Sequence, residues 1–174
     1  MTKFELPKLE TSRLILRPLT LNDLNDCFKW TGDPRVNKYM IYTLYKSAED
    51  GREWLQNLYQ EEKKIDYGFV FKKTSELIGS GGIYYHEDID TWRIGYNLSY
   101  NFWKQGLAAE AMEKIIEYVQ SKFKIHIIEG EFCVDNYGSR RVMEKLGMSY
   151  YKDCEYSKLD GSETFKAQMY RKYL

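Results

Sequence analysis

The chain has 174 residues, 26 basic and 26 acidic, so its formal net charge is zero. That length fits one domain with a sizeable core, and the balanced charge excludes an overall field that would gather nucleic acid or an anionic membrane. No apolar run approaches the roughly 20 residues that cross a bilayer, and the opening Met1-Thr2-Lys3-Phe4-Glu5-Leu6-Pro7 has no signal-peptide core.

Cys27, Cys133 and Cys154 stand apart, without paired spacing or histidine company. Neither a disulfide nor a metal site is expected, and the cytoplasm is the natural compartment. Sixteen tyrosines and four tryptophans are expected mainly to fill the core, where each ring buries a large apolar area.

Arg13–Arg17 alternates like a half-buried strand and stops at Pro18. Thr20 with Asp23 three residues on is a capping-box arrangement, and Leu21, Leu24 and Phe28 are the expected inward face of the helix that follows. Gly32-Asp33-Pro34 ends it. Residues 33–46 read as a short helix around Val36–Met40 and then loop. Ser47 with Asp50 repeats the capping signal, and Trp54, Leu55, Leu58 and Tyr59 make a helical stripe through about Lys64.

Ile65–Phe71, Leu77–Tyr85 and Asp90–Tyr100 read as strands. Gly79-Ser80-Gly81-Gly82 lies inside the second and leads into no helix, so it lacks the context of a dinucleotide loop. A bulge or close backbone packing explains it better. Ala108 to about Lys122 is the central helix, with Ala111, Ile115, Ile116 and Val119 inward. Next come the apolar stretch Ile125–Val134, a short helix closing on Lys145-Leu146-Gly147, and two strands, Ser149–Tyr156 and Thr164–Tyr170, joined by a turn at Lys158–Ser162. The order βααβββαβαββ implies one α/β (α+β) domain over residues 1–174, with a mixed, mostly antiparallel sheet flanked by helices.

Trp103-Lys104-Gln105-Gly106-Leu107-Ala108-Ala109-Glu110-Ala111 is a glycine turn running straight into the central helix. The first amides of a helix have no partner inside it and carry a partial positive charge, so such a turn can seat a phosphate. With Gly95-Tyr96 before it, and Asn136 to Met148 (Asn-Tyr-Gly-Ser-Arg-Arg-Val-Met-Glu-Lys-Leu-Gly-Met) after it, the turn resembles the acetyl-CoA-binding core of the GNAT N-acetyltransferases. It resembles their RimJ/RimL-like branch most, and Leu9–Leu19 is similar to the family's first strand.

The resemblance implies a single GNAT domain that moves an acetyl group from acetyl-CoA to a primary amine, with no metal. The amides of Lys104, Gln105, Gly106, Leu107, Ala108 and Ala109 would face the CoA pyrophosphate. Leu98 or Ser99 would supply the oxyanion amide, and pantetheine would pair along Leu98, Ser99 and Tyr100. Asn136 and Ser139 would contact the CoA arm; both types also cap helices well. Many relatives place a thiolate-protonating tyrosine seven residues after the asparagine. Met143 stands there, where it would contact the cofactor, but it has no proton to give, which leaves Ser139 as the acid and Tyr137 as the alternative.

Glu131 and Glu155 are the candidate bases, since Arg93 stands where the branch often has a carboxylate. Tyr39, Tyr42, Tyr45, Trp54 and Arg93 are candidates for acceptor contact. An acceptor of low pKa, such as a protein N-terminal α-amine, needs less help from a base. A small amine (antibiotic, polyamine or amino acid) is the alternative acceptor, and a non-catalytic acyl-CoA sensor is the rival from another class. The chain would act as a monomer or homodimer, with no nucleic-acid or membrane partner.

Overall fold

The computed structural model describes residues 6–174; residues 1–5, part of the stretch expected to lack a signal-peptide core, lie outside it. An eight-stranded sheet organises the chain. Its strands are β1 (Leu9–Glu10), β2 (Leu14–Arg17), β3 (Lys64–Phe71), β4 (Glu76–His86), β5 (Thr91–Leu98), β6 (Ile127–Cys133), β7 (Ser149–Ser157) and β8 (Thr164–Tyr173). They lie in the order β1-β2-β3-β4-β5-β6-β8-β7, antiparallel except between β5 and β6. Helices α1 (Leu24–Thr31), α2 (Pro34–Asn37) and α3 (Arg52–Asn57) fall between β2 and β3; α4 (Leu107–Lys122) and α5 (Tyr137–Lys145) flank β6 in sequence. No described helix is long and apolar enough to cross a membrane.

Period-two alternation sends each strand's side chains to two faces. One face carries Leu14, Leu16, Ile65, Tyr67, Phe69, Ile83 and Ile94, sealed by Leu107, Ala111, Met112, Ile115 and Val119 of α4 and Met143 of α5. The other face carries a smaller core in which Leu19, Leu77 and Val70 meet Cys27 and Trp30 of α1 and Leu55 of α3. Among the described residues, this second core includes no side chain of β5 or β6.

Two helical expectations are corrected. Both capping boxes form, at Thr20/Asp23 and Ser47/Asp50, but each opens a 3-10 turn before the α-helix. That turn shifts the phase, so α1 buries Cys27, Trp30 and Thr31 while Leu21 is exposed and Leu24 and Phe28 are half-buried. Asp23 is buried and held by two bonds from Arg17, at 2.8 and 2.9 Å.

The third helix ends at Asn57 rather than near Lys64. Tyr59 is drawn out of helical path: its hydroxyl accepts from the Leu19 amide at 2.7 Å and donates to the Asp66 carbonyl at 3.2 Å. Tertiary bonds override the helical stripe there. The Gly79–Gly82 run lies in β4, beside a register shift between Phe69 and Val70 of β3.

Candidate active site

The site is a gap in the sheet. Strands β5 and β6 pair at only two rungs, Trp92–Ile128 and Arg93–Glu129. Beyond these β5 stays on β4 as far as the Gly79–Leu98 pair, and β6 stays on β8 as far as Cys133–Ala167. The facing edges therefore leave backbone groups without a sheet partner, open to a ligand that pairs as a strand does. Ser99 donates its amide to Ile78 of β4 at 2.7 Å. Ser99 is thereby excluded as an oxyanion donor, a correction, because its N–H is spent on β4. Bonding sides alternate along a strand, which turns the amides of Leu98 and Tyr96 toward the gap.

At the far mouth of the gap lies the turn into α4. Lys104 has φ +62° and Gly106 φ +76°, with the helix starting at Leu107. Two left-handed residues flanking Gln105 curl the backbone into a concavity that suits an anion. A lysine adopts that conformation at a cost. The chain is pinned on both sides: the Trp103 indole donates to the Leu98 carbonyl at 2.7 Å, and Arg13 Nη1 donates to the Gln105 carbonyl at 3.0 Å.

Leu107, Ala108 and Ala109 bury their side chains, so only their amides can meet a ligand. The first α4 amide bonded within the helix is that of Glu110, to Gly106 O at 3.1 Å. A Cβ on Gly106 would stand 3.3 Å from Lys145 Nζ and 3.8 Å from Arg13 Nη2. Two cations therefore border the turn besides Lys104. Tyr100 is exposed under the Arg35 guanidinium, 3.8 Å above its ring.

Sequence reasoning missed Glu110 and its partners. One carboxylate accepts from Thr11 Oγ1 (2.6 Å), Ser12 Oγ (3.1 Å), Arg13 N (2.9 Å) and Arg13 Nε (2.7 Å). Burial opposes ionisation, yet the bonds from Thr11 and Arg13 hold this carboxyl below its ordinary value. Glu110 thus ties the β1–β2 connection to the start of α4 and brings Arg13 to the turn. The repeated Glu in the helix motif and the Thr-Ser-Arg triplet were the available signals.

On the other side of the gap, Asn136 caps α5 by accepting from Ser139 N at 3.2 Å. Ser139 Oγ lies 2.8 Å from the Tyr96 hydroxyl, which also reaches the Ser139 carbonyl at 3.1 Å. Burial pushes the Tyr96 phenol up, opposed by the Ser139 bond, so it stays protonated at neutral pH. Tyr96 is a second residue that sequence reasoning missed as chemistry. Tyr137 is 67% exposed and stands at the first position of α5.

The expectation of a cofactor contact by Met143 is corrected. It is 2% exposed, and its Cε would be 2.6 Å from a Cβ on Gly130, so it fills the space that glycine leaves on β6.

The second face of the sheet supplies the acceptor side. Tyr42 donates to Asn97 Oδ1 on β5 at 2.9 Å and tilts against Tyr45 at 5.5 Å. The Tyr39 carbonyl accepts from Tyr156 at 2.7 Å, which locks this loop to the β7–β8 hairpin. Trp54 packs against the second core. Arg93 sits at the root of the gap beside Glu129.

Glu131, one alternation beyond Glu129, lies 3.9 Å from Cys154 Sγ. Glu155 follows Cys154 on β7, so alternation turns it to the opposite face and it is exposed. Its candidacy as a base is corrected on that ground. Asp66 of β3, unmarked in the sequence reading, pairs with Gly82 of β4, and burial pushes its carboxyl up to about 6 against the pull of Lys64. The three cysteines are free, and burial raises the Cys27 thiol to about 12.

Comparison with known proteins gives a consistent picture. A family model described as an acetyltransferase (GNAT) domain matches residues 13–149, well over half of the chain. The N-acetyltransferase YoaA of Bacillus subtilis, itself uncharacterised, is 33% identical over 147 residues, 81% of this chain and 82% of YoaA. Among solved structures, the microcin C7 self-immunity acetyltransferase MccE, in complex with acetyl-CoA and AMP, superposes with a TM-score of 0.81 at 18% identity, covering 94% of each chain. A Vibrio cholerae structure described as a candidate ribosomal-protein-serine acetyltransferase gives a TM-score of 0.79 at 16% identity, over 97% of this chain and 98% of that one.

Proposed function

The chain belongs to the acetyltransferase (GNAT) family, and on that premise we propose that it transfers an acetyl group from acetyl-CoA to a primary amine by direct attack. The observation that carries this reading is the gap itself: two parallel rungs, then two strands that diverge, with a left-handed anion-binding turn at the mouth. The fit to CoA is supported at Gly106, where a Cβ would crowd the concavity between Lys145 and Arg13. The amides of Gly106 to Ala109, with Lys104, Arg13 and Lys145, would hold the pyrophosphate.

Acetyl-CoA, when bound, supplies the acetyl group as an activated thioester. The gap-facing amides of Tyr96 and Leu98 would pair with the pantetheine arm and donate to the carbonyl oxygen as negative charge develops there. The acceptor amine gives up its proton to Glu131 or Asp66, directly or through water, and its nitrogen bonds the acetyl carbon as the C–S bond breaks. Ser139, with Tyr96 hydrogen-bonded behind it, returns a proton to sulfur. No cysteine lies in the turn or on α5, which supports a single displacement over a covalent enzyme intermediate.

Membership of the RimJ/RimL-like branch is part of the proposal, supported by Gly95-Tyr96 and by the Asn136–Met148 run. A protein N-terminal α-amine and a small amine both meet the chemical requirement. Three free cysteines suit a reducing compartment such as the cytoplasm.

The test is the release of free CoA thiol from acetyl-CoA over a panel of amines. Turnover with at least one amine is the expected result. Binding of acetyl-CoA with no thiol release from any amine would mean a sensor and not an enzyme of this kind.

A further inference from the structure

The second face of the sheet, at the root of the gap, holds a buried guanidinium donor that the protein leaves unused. Glu129 is 2% exposed. Arg171 already satisfies it, with Nε donating to Oε1 at 2.9 Å and Nη2 donating to the same oxygen. Arg93 is the second guanidinium at that carboxylate, yet its Nε stands 3.6 Å from Oε2. That Nε is sealed from solvent and has no hydrogen-bond partner among the described residues. One carboxylate thus faces two cations, and the second holds a buried donor unused. Leaving such a donor unpaired is costly.

One alternation further along, the floor over Gly95 is bare. Gly82 of β4 pairs with Gly95 of β5, and a Cβ on Gly95 would meet nothing within 4 Å. Asp66 pairs with Gly82 from the other side, and its Oδ1 lies 2.6 Å from where a Gly82 Cβ would be. The carboxyl therefore leans over the strip. Glu131 borders the gap from β6. Tyr84, which shares its face with Arg93, reports the company: burial raises its phenol, Arg93 lowers it, and Glu131 and Asp66 raise it further. The result is an open strip over Gly95 with carboxyls on two sides and a guanidinium with an unused donor at one end.

We infer that the acceptor is a small zwitterion of the amino-acid kind, its anionic group on Arg93 and its amine over Gly95 between Asp66 and Glu131. This rests on the transfer reading above and names its substrate class. Two residues along a strand span about 6.5 Å, a distance that an amine and a carboxylate a few bonds apart can bridge with the help of flexible side chains. In the reaction one N–C bond forms, the C–S bond breaks, one amine proton passes to a carboxyl beside the strip and one proton reaches sulfur, while the carboxylate on Arg93 is unchanged.

The experiment measures thiol release with three matched series: free amino acids, their carboxamides, and the corresponding amines without the carboxylate. Free acids should show kcat/KM higher by on the order of 10- to 100-fold, the range for a hydrogen bond to a buried charge. Arg93→Gln should bring that ratio down toward one, and Arg93→Lys should keep part of it. Melting temperatures of both variants separate loss of preference from loss of fold, and the wild-type ratio stands even if neither variant folds. Equal turnover of acids and amides, or faster turnover of peptides with a free N-terminus, overturns the zwitterion while leaving acetyl transfer intact. An absence of thiol release from every amine overturns the transfer reading and this one with it.

Discussion

Removing the Tyr96 hydroxyl isolates the proton donor from the fold. In Tyr96→Phe one oxygen is lost that lies 2.8 Å from Ser139 Oγ and 3.1 Å from the Ser139 carbonyl. That carbonyl sits inside α5, where the helix supplies its own donor, so the stability loss should stay near the ordinary net value of about 1 kcal/mol. Ser139→Ala should cost no more, because Asn136 is the cap and the Ser139 amide that it binds is retained. The effect on turnover is larger. Ser139→Ala should lower kcat on the order of 10²-fold, the low end for a positioned acid, with acetyl-CoA affinity near that of the parent.

Tyr96→Phe leaves the serine hydroxyl but removes the partner that directs its proton, and about tenfold is expected. The two losses should not add, because the hydroxyls act as a unit. Burial keeps the phenol protonated above its ordinary range, so no activity should be lost through it below about pH 10. Steady-state kinetics with thermal melts on both single variants and the double variant would decide. A kcat within threefold of the parent for Ser139→Ala, or multiplying losses in the double variant, refutes the paired-donor account.

Lys104→Gly should relieve a left-handed residue worth roughly 1–2 kcal/mol, offset in part by glycine's chain entropy, so the denaturant midpoint should rise slightly. Its acetyl-CoA affinity should fall and become less salt-dependent in calorimetric titrations. Gly106→Val should lose both properties, since its φ of +76° strains a β-branched residue and its Cβ enters the anion seat. Asp66→Asn should stabilise the protein at pH 8. Its carboxyl moves from 3.8 to about 6 on folding, which favours the protonated form, so stability present below pH 3.8 is lost as pH rises through 6. The full effect is at most about 3 kcal/mol, less for a half-buried group, and the advantage of Asn over Asp should vanish near pH 4; an advantage constant with pH would exclude desolvation as the cause. Turnover should fall in the same variant if Asp66 receives the amine proton.

The strands and the central helix were legible because alternation and helical spacing are local signals. Strand β1, only Leu9–Glu10, is too short to alternate. The face of α1 depended on a 3-10 turn that helical spacing does not register, and the end of α3 on the reach of Tyr59 to Leu19, 40 residues away. The glycine turn before α4 and the Asn136 cap could be read from motifs because each is made by residues close in sequence.

The rest of the site is assembled across distance. Tyr96 meets Ser139 over 43 residues, and Glu110 meets Thr11 over 99. Met143 could be seen to lack a proton, yet only the fold shows it filling the space over Gly130. The open strip was invisible for a simpler reason: Gly82 and Gly95 matter by facing each other, and each alone is an ordinary strand glycine.

Amide hydrogen exchange at Tyr96 and Leu98 tests most directly whether the gap is the CoA seat. Both amides face the divergence of β5 from β6, where the sheet offers no acceptor. In the protein alone they should exchange much faster than Ser99, whose amide is bonded to Ile78 at 2.7 Å. With saturating acetyl-CoA they should slow markedly while Ser99 changes little. Protection of Tyr96 and Leu98 unchanged by acetyl-CoA, at a concentration that calorimetry shows to be saturating, would contradict the account.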